Sequence, residues 1–350
     1  MKKITFLMLH LKYGGLEKQT ITLINELVKL NYDIEIICVY NISDKVIECI
    51  NNKKYFKLIK EIFKGLKIIY LKYTLMNKEI KNVKTDYIFS TRIEFSKLIK
   101  RKDTINISQE HSYINTKKYI SKVKKSFNFI DYVIVMTNNA KLQYDKWIKK
   151  DIVVIPNMIS ENSIYSTLEN KQIISIGRLE EEKDFVTLIN IFKNIQKKHS
   201  DWVLKIVGDG SKKEELINLI NSYNLQDKVV FTGVLNDDEI KNEMLQSSIF
   251  VSTSKTESFS LVLCEAMNYG IPVISFDIDV GPREIIDNEI NGYLIENRNL
   301  NKMKDKIIEL IDNKELRKKI GNNASIKAKT FYPSNVINKW KELLERWENI

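Results

Sequence analysis

Six short runs in the second half of the chain are almost continuously apolar and β-branched: QIISIGR (172–178), WVLKIVGDG (202–210), KVVFTGV (228–234), IFVSTS (249–254), PVISFD (272–277) and GYLIE (292–296). Helical periodicity fills the gaps between them. A strand without in–out alternation is buried on both faces, as in a parallel sheet covered by helices. The first half repeats the pattern, with strands expected at 3–9, 33–40, 86–91, 104–109, 131–137 and 152–156. Helical spacing there covers 16–30, 53–82, 94–101, 116–128 and 138–149. Between the two series VIPNMI (154–159) gives way to a polar, patternless stretch, 160–171. Two α/β series predict two doubly wound, Rossmann-like domains, 1–157 and 158–332. A last helix, 333–350, opens on Pro333 and is expected to pack back on the first domain. Ligands of such sheets bind beyond the carboxyl ends of the strands, so the chemistry is sought at strand-to-helix turns, in a cleft between facing domains.

Composition narrows the class. With 43% hydrophobic and 29% charged residues the 350-residue chain is a folded globular protein, and 11 Gly and 4 Pro leave little for flexible linkers. The start, MKKITFLMLH, has too short an apolar run for a signal peptide and reads as a strand, and no stretch approaches the roughly 18 apolar residues of a membrane span. Cys38, Cys49 and Cys264 show no metal-ligand spacing and read as reduced cytosolic thiols. Charge is uneven: residues 1–156 hold 30 Lys and Arg against 15 Asp and Glu, and residues 157–350 hold 26 against 30. A basic half invites an anionic partner.

Four turns stand out. HLKYGGLEKQT (10–20) places Gly14 and Gly15 between a strand and a helix, where bare backbone approaches a ligand or merely turns tightly. The dinucleotide pattern G-x-G-x-x-G is absent, which disfavours NAD and FAD. In IGRLEEEKDF (176–185), Arg178 and Lys183 flank a helix start, where the helix dipole disfavours cations unless an anion sits between them. Glu180, Glu181 and Glu182 could instead neutralise them. VGDGSKKEE (207–215) puts Gly208, Asp209 and Gly210 in a turn that either simply reverses the chain or lines a nucleotide. TESFSLVLCEAM (256–267) carries Glu257 at the mouth of a helix expected to begin near Phe259, capped by Thr256 or Ser258, with Glu265 inside it. Eight helical residues rise about 12 Å, roughly the reach from the sugar to the ribose of a nucleotide sugar. The helix N-terminus between the carboxylates would hold the diphosphate, and the alternative is that each carboxylate pairs with a Lys or Arg. In the basic half SQEHSYI (108–114) sets His111 at a strand end beside Glu110.

These motifs occur in an order that resembles the family 4 retaining glycosyltransferases of GT-B fold, of the bacterial polysaccharide and lipopolysaccharide type. They are GG at 14–15, EHS at 110–112, IPN at 155–157, GRLEEEK at 177–183, GDG at 208–210, FTG at 231–233, ESFSLVLCEAMNYGIPVIS at 257–275 and GPREII from 281. The likeness runs along nearly the whole chain and is strongest from 154 to 296. It implies two Rossmann-like domains across a cleft and transfer of a hexose or N-acetylhexosamine from a nucleotide sugar, UDP-linked by family habit, with retention. By resemblance, Arg178 and Lys183 bind the diphosphate, Glu265 holds the ribose hydroxyls, Glu257 lies against the donor sugar, and His111 faces the reacting centre. Backbone at Phe259, Ser260 and Leu261 contacts phosphate or sugar, and Gly14, Gly15, Gly208 and Asp209 line the donor. No cofactor or metal is expected, so Asp277 and Asp279 are not read as metal ligands. Asp184 stands where the family commonly has Gly or Asn.

The acceptor side is read from lysines. KKYFKLIKEIFKGLKIIYLKY (53–73) alternates Lys57, Lys60 and Lys64 with apolar residues at helical spacing, and KKYISKVKK (117–125) adds Lys117 and Lys118. Such basic amphipathic stretches suit an anionic membrane surface or, on a packed helix, a solvated face. The combined expectation is a cytoplasmic enzyme peripheral to the inner face of the cell membrane, acting on a lipid-linked or polymeric saccharide. A nucleic-acid-binding protein would also use a basic half, but there is no binding module or dense Arg patch. A GT-B-fold nucleotide-sugar epimerase would share the fold without needing membrane-facing lysines.

Overall fold

The computed structural model describes residues 2–8, 15–38, 67–70, 83–99, 103–111 and 116–348. The chain divides into two compact units, Met1–Met158 with Ile337–Ile350, and Ile159–Val336.

The first unit is built on seven strands: β1 (Lys3–Met8), β2 (Asp33–Cys38), β3 (Lys67–Tyr70), β4 (Tyr87–Ser90), β5 (Ile105–Glu110), β6 (Tyr132–Val135) and β7 (Asp151–Val154), ordered β3-β2-β1-β4-β5-β6-β7. Every neighbouring pair is parallel. Among the described residues the sheet is flanked by α1 (Gly15–Lys29), α2 (Lys117–Ser126), α3 (Asn138–Asp145) and the last helix of the chain. The apolar runs are buried on both faces, as continuous patterning requires: Ile4, Phe6, Leu7, Ile36, Ile37 and Phe89 are inaccessible. Glu35, in the middle of β2, is buried with its carboxylate 2.8 Å from the ammonium of Lys3, the pairing a buried charge needs.

Two expectations fail here. Helical spacing was read across 53–82, but Lys67–Tyr70 form β3, paired in register from Glu35–Lys67 to Cys38–Tyr70. A four-residue run is too short for periodicity to distinguish helix from strand, and an available edge beside β2 decides it. Lys57, Lys60 and Lys64 lie outside the described residues. The expected helix at 94–101 is a 3₁₀ segment, Ile93–Leu98.

The last helix, α11 (Pro333–Glu348), supplies the largest core side chain of this unit. Trp340 is 2% exposed and lies 5.6 Å from the ring of Phe89, which stacks on Phe6 at 5.2 Å. Trp347 packs 4.6 Å from Tyr132 and 5.8 Å from Tyr87.

The second unit has six parallel strands, β8 (Gln172–Ile176), β9 (Val203–Val207), β10 (Val229–Gly233), β11 (Ile249–Ser252), β12 (Val273–Asp277) and β13 (Gly292–Glu296), ordered β10-β9-β8-β11-β12-β13. Helices α4 (Phe185–Gln196), α5 (Lys213–Ser222), α6 (Asp237–Leu245), α7 (Leu261–Asn268), α8 (Pro282–Ile285), α9 (Leu300–Asp312) and α10 (Lys314–Ala328) cover it. The core joins Ile173, Leu204, Ile206, Val251, Ile274 and Phe276 of the sheet to Leu188 and Phe192 of α4 and to Met303, Ile307 and Leu310 of α9. The strand order reverses between β8 and β11, so the loops after these two strands diverge and open a crevice. Among the described residues no helix is long and apolar enough to cross a membrane.

Truncating Trp340 to Ala should remove about 3–5 kcal/mol from the first unit, the usual loss for a buried large aromatic. Urea denaturation should show its unfolding midpoint lowered, with the unfolding of the second unit little changed.

Candidate active site

The loops at the switch point of the second unit carry the residues singled out in the sequence. The loop after β8 runs through Gly177 and Arg178 to a 3₁₀ turn, Glu181–Lys183, and into α4. The loop after β11 runs through Thr253 and Glu257 to Ser260 and α7. Their most buried meeting is an ion pair: Lys183 Nζ donates to Glu257 Oε1 at 2.6 Å, with side chains only 19% and 10% exposed. The stem of Lys183 lies flat on Gly177, where an added Cβ would stand 3.3 Å from its Cγ and Cδ. A third loop closes on Glu257 from the other side. Gly281, at φ +100°, would bring a Cβ within 3.1 Å of both the Glu257 Cβ and the Phe259 carbonyl oxygen.

The opposed cations at a helix start resolve differently from expectation. The N-cap of α4 is Asp184, whose carboxylate accepts from the Thr187 hydroxyl at 2.8 Å, so the helix dipole meets an acid. Lys183 points away from the helix. Arg178, 74% exposed, donates to Glu182 at 2.5 Å, and Glu181 holds Lys255 and Lys212. The glutamates of the loop therefore neutralise its neighbours, the alternative the sequence left open, while Lys183 is paired with Glu257 instead.

The helix after Glu257 is shorter than expected. It begins at Leu261, not Phe259, and neither Thr256 nor Ser258 caps it. Ser260 is the N-cap in a left-handed conformation, φ 73° and ψ 63°, and makes no side-chain cap bond. Its Oγ is buried with no partner among the described residues, although the residue is only 4% exposed. An unpartnered hydroxyl in such a place costs free energy unless a ligand satisfies it. Glu257 thus lies off the helix, and the helical rise does not measure its separation from Glu265. Along α7, Leu263, Cys264, Ala266, Met267 and Asn268 face the core, leaving Leu261, Val262 and Glu265 on the open face. Glu265 is half-buried rather than buried. Burial, reinforced by Glu265, pushes the Cys264 thiol well above its ordinary pKa, which makes it a poor nucleophile. Phe259 is a core residue set edge-on to Phe331 at 5.5 Å, so only its backbone faces the loop.

The GDG turn abuts the β8 loop backbone to backbone. Gly208, at φ +136°, would place a Cβ 2.0 Å from the Gly177 carbonyl oxygen, and the Leu179 amide donates to the Asp209 carbonyl at 3.0 Å. Asp209 itself is exposed, and Lys213, with the Gly210 amide, holds its carboxyl below the usual range. A turn requirement therefore accounts for Gly208 without a ligand.

In the first unit His111 directly follows β5, and its Nε2 is buried without a partner among the described residues. Burial lowers its pKa to about 4, so the imidazole is neutral at pH 7. Beside it Glu110 is buried and accepts from Ser108 at 2.6 Å, from Tyr144 at 2.9 Å and from Tyr119. Gly15 opens α1, and a Cβ there would meet nothing within 4 Å; Gly14 lies outside the described residues. Lys117 and Lys118 are exposed in the first turn of α2.

Residues 160–327 match the family model described as glycosyl transferases group 1. An uncharacterized glycosyltransferase of Haemophilus influenzae is 29% identical over 98% of this chain and 100% of its own length. The protein is a glycosyltransferase. Another relative of this glycosyltransferase, from Campylobacter jejuni, is 27% identical over 95% of the chain and 96% of its own. It is named N-acetylgalactosamine-N,N'-diacetylbacillosaminyl-diphospho-undecaprenol 4-alpha-N-acetylgalactosaminyltransferase. Among solved structures, HepE of Anabaena, in complex with UDP and glucose, superposes with a TM-score of 0.82 at 17% identity, each chain covered completely. The fold of the glycosyltransferase is GT-B, its two halves each a parallel Rossmann-like sheet.

Thr253, Gly177, Gly281 and Arg298 also shape the site but do not stand out by residue type. Gly177 and Gly281 had a signal only as the first residues of the GRLEEEK and GPREII blocks, and Thr253 and Arg298 had none.

Because His111 is held neutral in the fold and titrates near 6.5 when unfolded, the unfolded chain takes up its proton first. Stability from this group is present above pH 6.5 and is lost as pH falls toward 4. Replacing His111 with Gln should flatten the fall in melting temperature over that window.

Proposed function

We propose that the protein transfers a hexose or N-acetylhexosamine, with retention, from a UDP-sugar to a lipid-linked saccharide or surface polysaccharide at the inner face of the membrane. The carrying observation is the Lys183–Glu257 pair beside the buried, unpartnered Ser260 hydroxyl at the switch point. Support comes from HepE, solved with UDP and glucose, and from the Campylobacter relative, named for a sugar on diphospho-undecaprenol.

In this reading donor binding exchanges partners. Lys183 leaves Glu257 for the diphosphate, and Glu257 accepts a hydroxyl of the donor sugar. The Ser260 hydroxyl and the free amides opening α7 meet phosphate oxygens, and Glu265, one turn further along the open face, meets the ribose. Arg178 swings from Glu182 to the diphosphate. As the sugar–phosphate bond breaks, negative charge grows on the leaving phosphate, where Lys183, Arg178 and the helix N-terminus stabilise it. The acceptor hydroxyl attacks the anomeric carbon from the same face, and the leaving phosphate oxygen takes its proton. No protein carboxylate then forms a glycosyl intermediate, unlike retaining glycosidases. The fixed cations supply the charge stabilisation that other enzymes draw from a metal, so no cofactor is invoked.

UDP, GDP and ADP, with their sugars, should be compared by thermal shift on the whole chain. A single nucleotide should raise the melting temperature, with stabilisation of about 2.7 kcal/mol at a hundredfold excess over Kd. Lys183→Ala should lose the shift, and Glu257→Ala should fold normally and transfer nothing. Active Glu257→Ala would remove its role. Free nucleoside diphosphate released with a glycosylated acceptor marks a transferase, and an isomerised sugar without acceptor marks an epimerase.

The membrane proposal rests on α2, whose exposed Lys117, Lys124 and Lys125 line one shallow hollow with Ile120 and Ser121. Replacing Lys117 and Lys118 with Ala should weaken binding to vesicles containing anionic lipid by roughly thirtyfold, at about 1 kcal/mol per lysine. Unchanged binding would return α2 to a merely solvated face.

A further inference from the structure

Lys183 precedes a residue in an unusual backbone state. Asp184 has φ 49° and ψ 49°, left-handed geometry that few residues other than Gly, Asn and Asp hold. It is held there by contacts from two other loops. Arg298, in the turn after β13, donates from Nη1 to Asp184 Oδ2 at 2.9 Å and to the Thr253 carbonyl at 3.1 Å. Its guanidinium rests 4.8 Å over the Phe276 ring, which limits its rotation. The Thr253 hydroxyl completes the triangle, reaching the Asp184 carbonyl at 2.9 Å and the Lys183 carbonyl at 3.2 Å. Arg298 is itself left-handed, at φ 64°. Thr253 belongs to the loop that bears Glu257 four residues later. The triangle therefore joins the backbone of Lys183 to the segment carrying its partner carboxylate.

We propose that Arg298 is a positioning residue for the transfer reaction: with Asp184 and Thr253 it clamps the Lys183 backbone so that the ammonium is aimed into the site. The consequence for the nucleotide rests on the donor reading above; the aim of Lys183 does not. A guanidinium suits the task because one planar group serves two acceptors from the loops on either side while stacking on an aromatic face.

Two readouts on the full chain separate the clamp from the donor reading. The first is amine acetylation of Lys183 relative to exposed Lys117, read by mass spectrometry without any nucleotide. The second is the affinity for UDP, read by calorimetry. Arg298→Ala should raise Lys183 labelling severalfold and weaken UDP about tenfold, the scale of one misaligned charged hydrogen bond. Arg298→Lys keeps one of the two bonds and should fall between. Adding Asp184→Asn to Arg298→Ala should recover much of both, because Asn tolerates the left-handed state and leaves no uncompensated carboxylate. A merely structural Arg298 would move the melting temperature and neither ratio. Folded Arg298→Ala with wild-type labelling overturns the clamp, whatever happens to UDP. Wild-type protein that binds no UDP defeats the donor reading, while the labelling ratio still decides the clamp. If Arg298→Ala does not fold, Arg298→Lys carries the same comparison.

Discussion

The second unit depends on the pairing of β8 with β11. Here the order of the sheet reverses, so the chain leaving β8 goes one way and the chain leaving β11 goes the other. A crevice is unavoidable where two such loops part, and it requires neither conserved side chains nor a ligand to exist. The sequence fills its rim with backbone in uncommon states. Asp184, Ser260 and Arg298 are left-handed without being glycine, each at a cost of roughly 1–2 kcal/mol. Strain of this kind persists only where surrounding contacts determine it, and it gathers where geometry matters more than stability.

The electrostatics of the rim sort by burial. Arg178 with Glu182, Lys255 with Glu181, and Lys212 with Glu215 are exposed pairs, each held weakly in water and weakened further by salt. Lys183 with Glu257 is largely withdrawn from water. An incoming anion displaces the exposed carboxylates easily, and at Lys183 it must offer at least as good a partner as Glu257. Glu257 in turn needs a donor to replace the ammonium. A ligand that is anionic at one end and rich in hydroxyls at the other meets both demands; a bare phosphate meets one. On the donor reading proposed above, this asymmetry is what would make a nucleotide sugar a better partner than a free nucleotide at the same place.

The strand series was legible because strands buried on both faces write continuous apolar runs, and the motif order at the strand ends picked out the loops that the fold brings together after β8 and β11. β3 was not legible, since KIIY became a strand only because the edge of β2 was free to pair with it. The start of α7 was also misread. Thr256 and Ser258 are good caps by residue type, but the chain turns at Ser260 because Gly281 packs against Glu257 and Phe259 from a loop some twenty residues on. Local propensity carries no trace of that contact. The same holds for Arg298, which nothing in ENRN distinguishes. It reaches Asp184 because β13 pairs in register with β12, placing its loop beside the site.

Much of the apparent motif is steric rather than chemical. In GRL and GDG, Gly177 and Gly208 stand where two loop backbones touch, and a Cβ at Gly208 would collide with a carbonyl oxygen at 2.0 Å. Neither glycine has a side chain to offer a ligand, yet Gly177 supports the stem of Lys183 and Gly208 packs on the carbonyl of Gly177. On the donor reading the groups proposed to act in this unit are few: the Lys183–Glu257 pair, the unpartnered Ser260 hydroxyl and the end of α7. A sequence can therefore match the motif at every glycine and still lack the chemistry if Lys183 or Glu257 is replaced. The converse holds as well, because a chain that keeps both but loses Gly208 has no surface on which to align them.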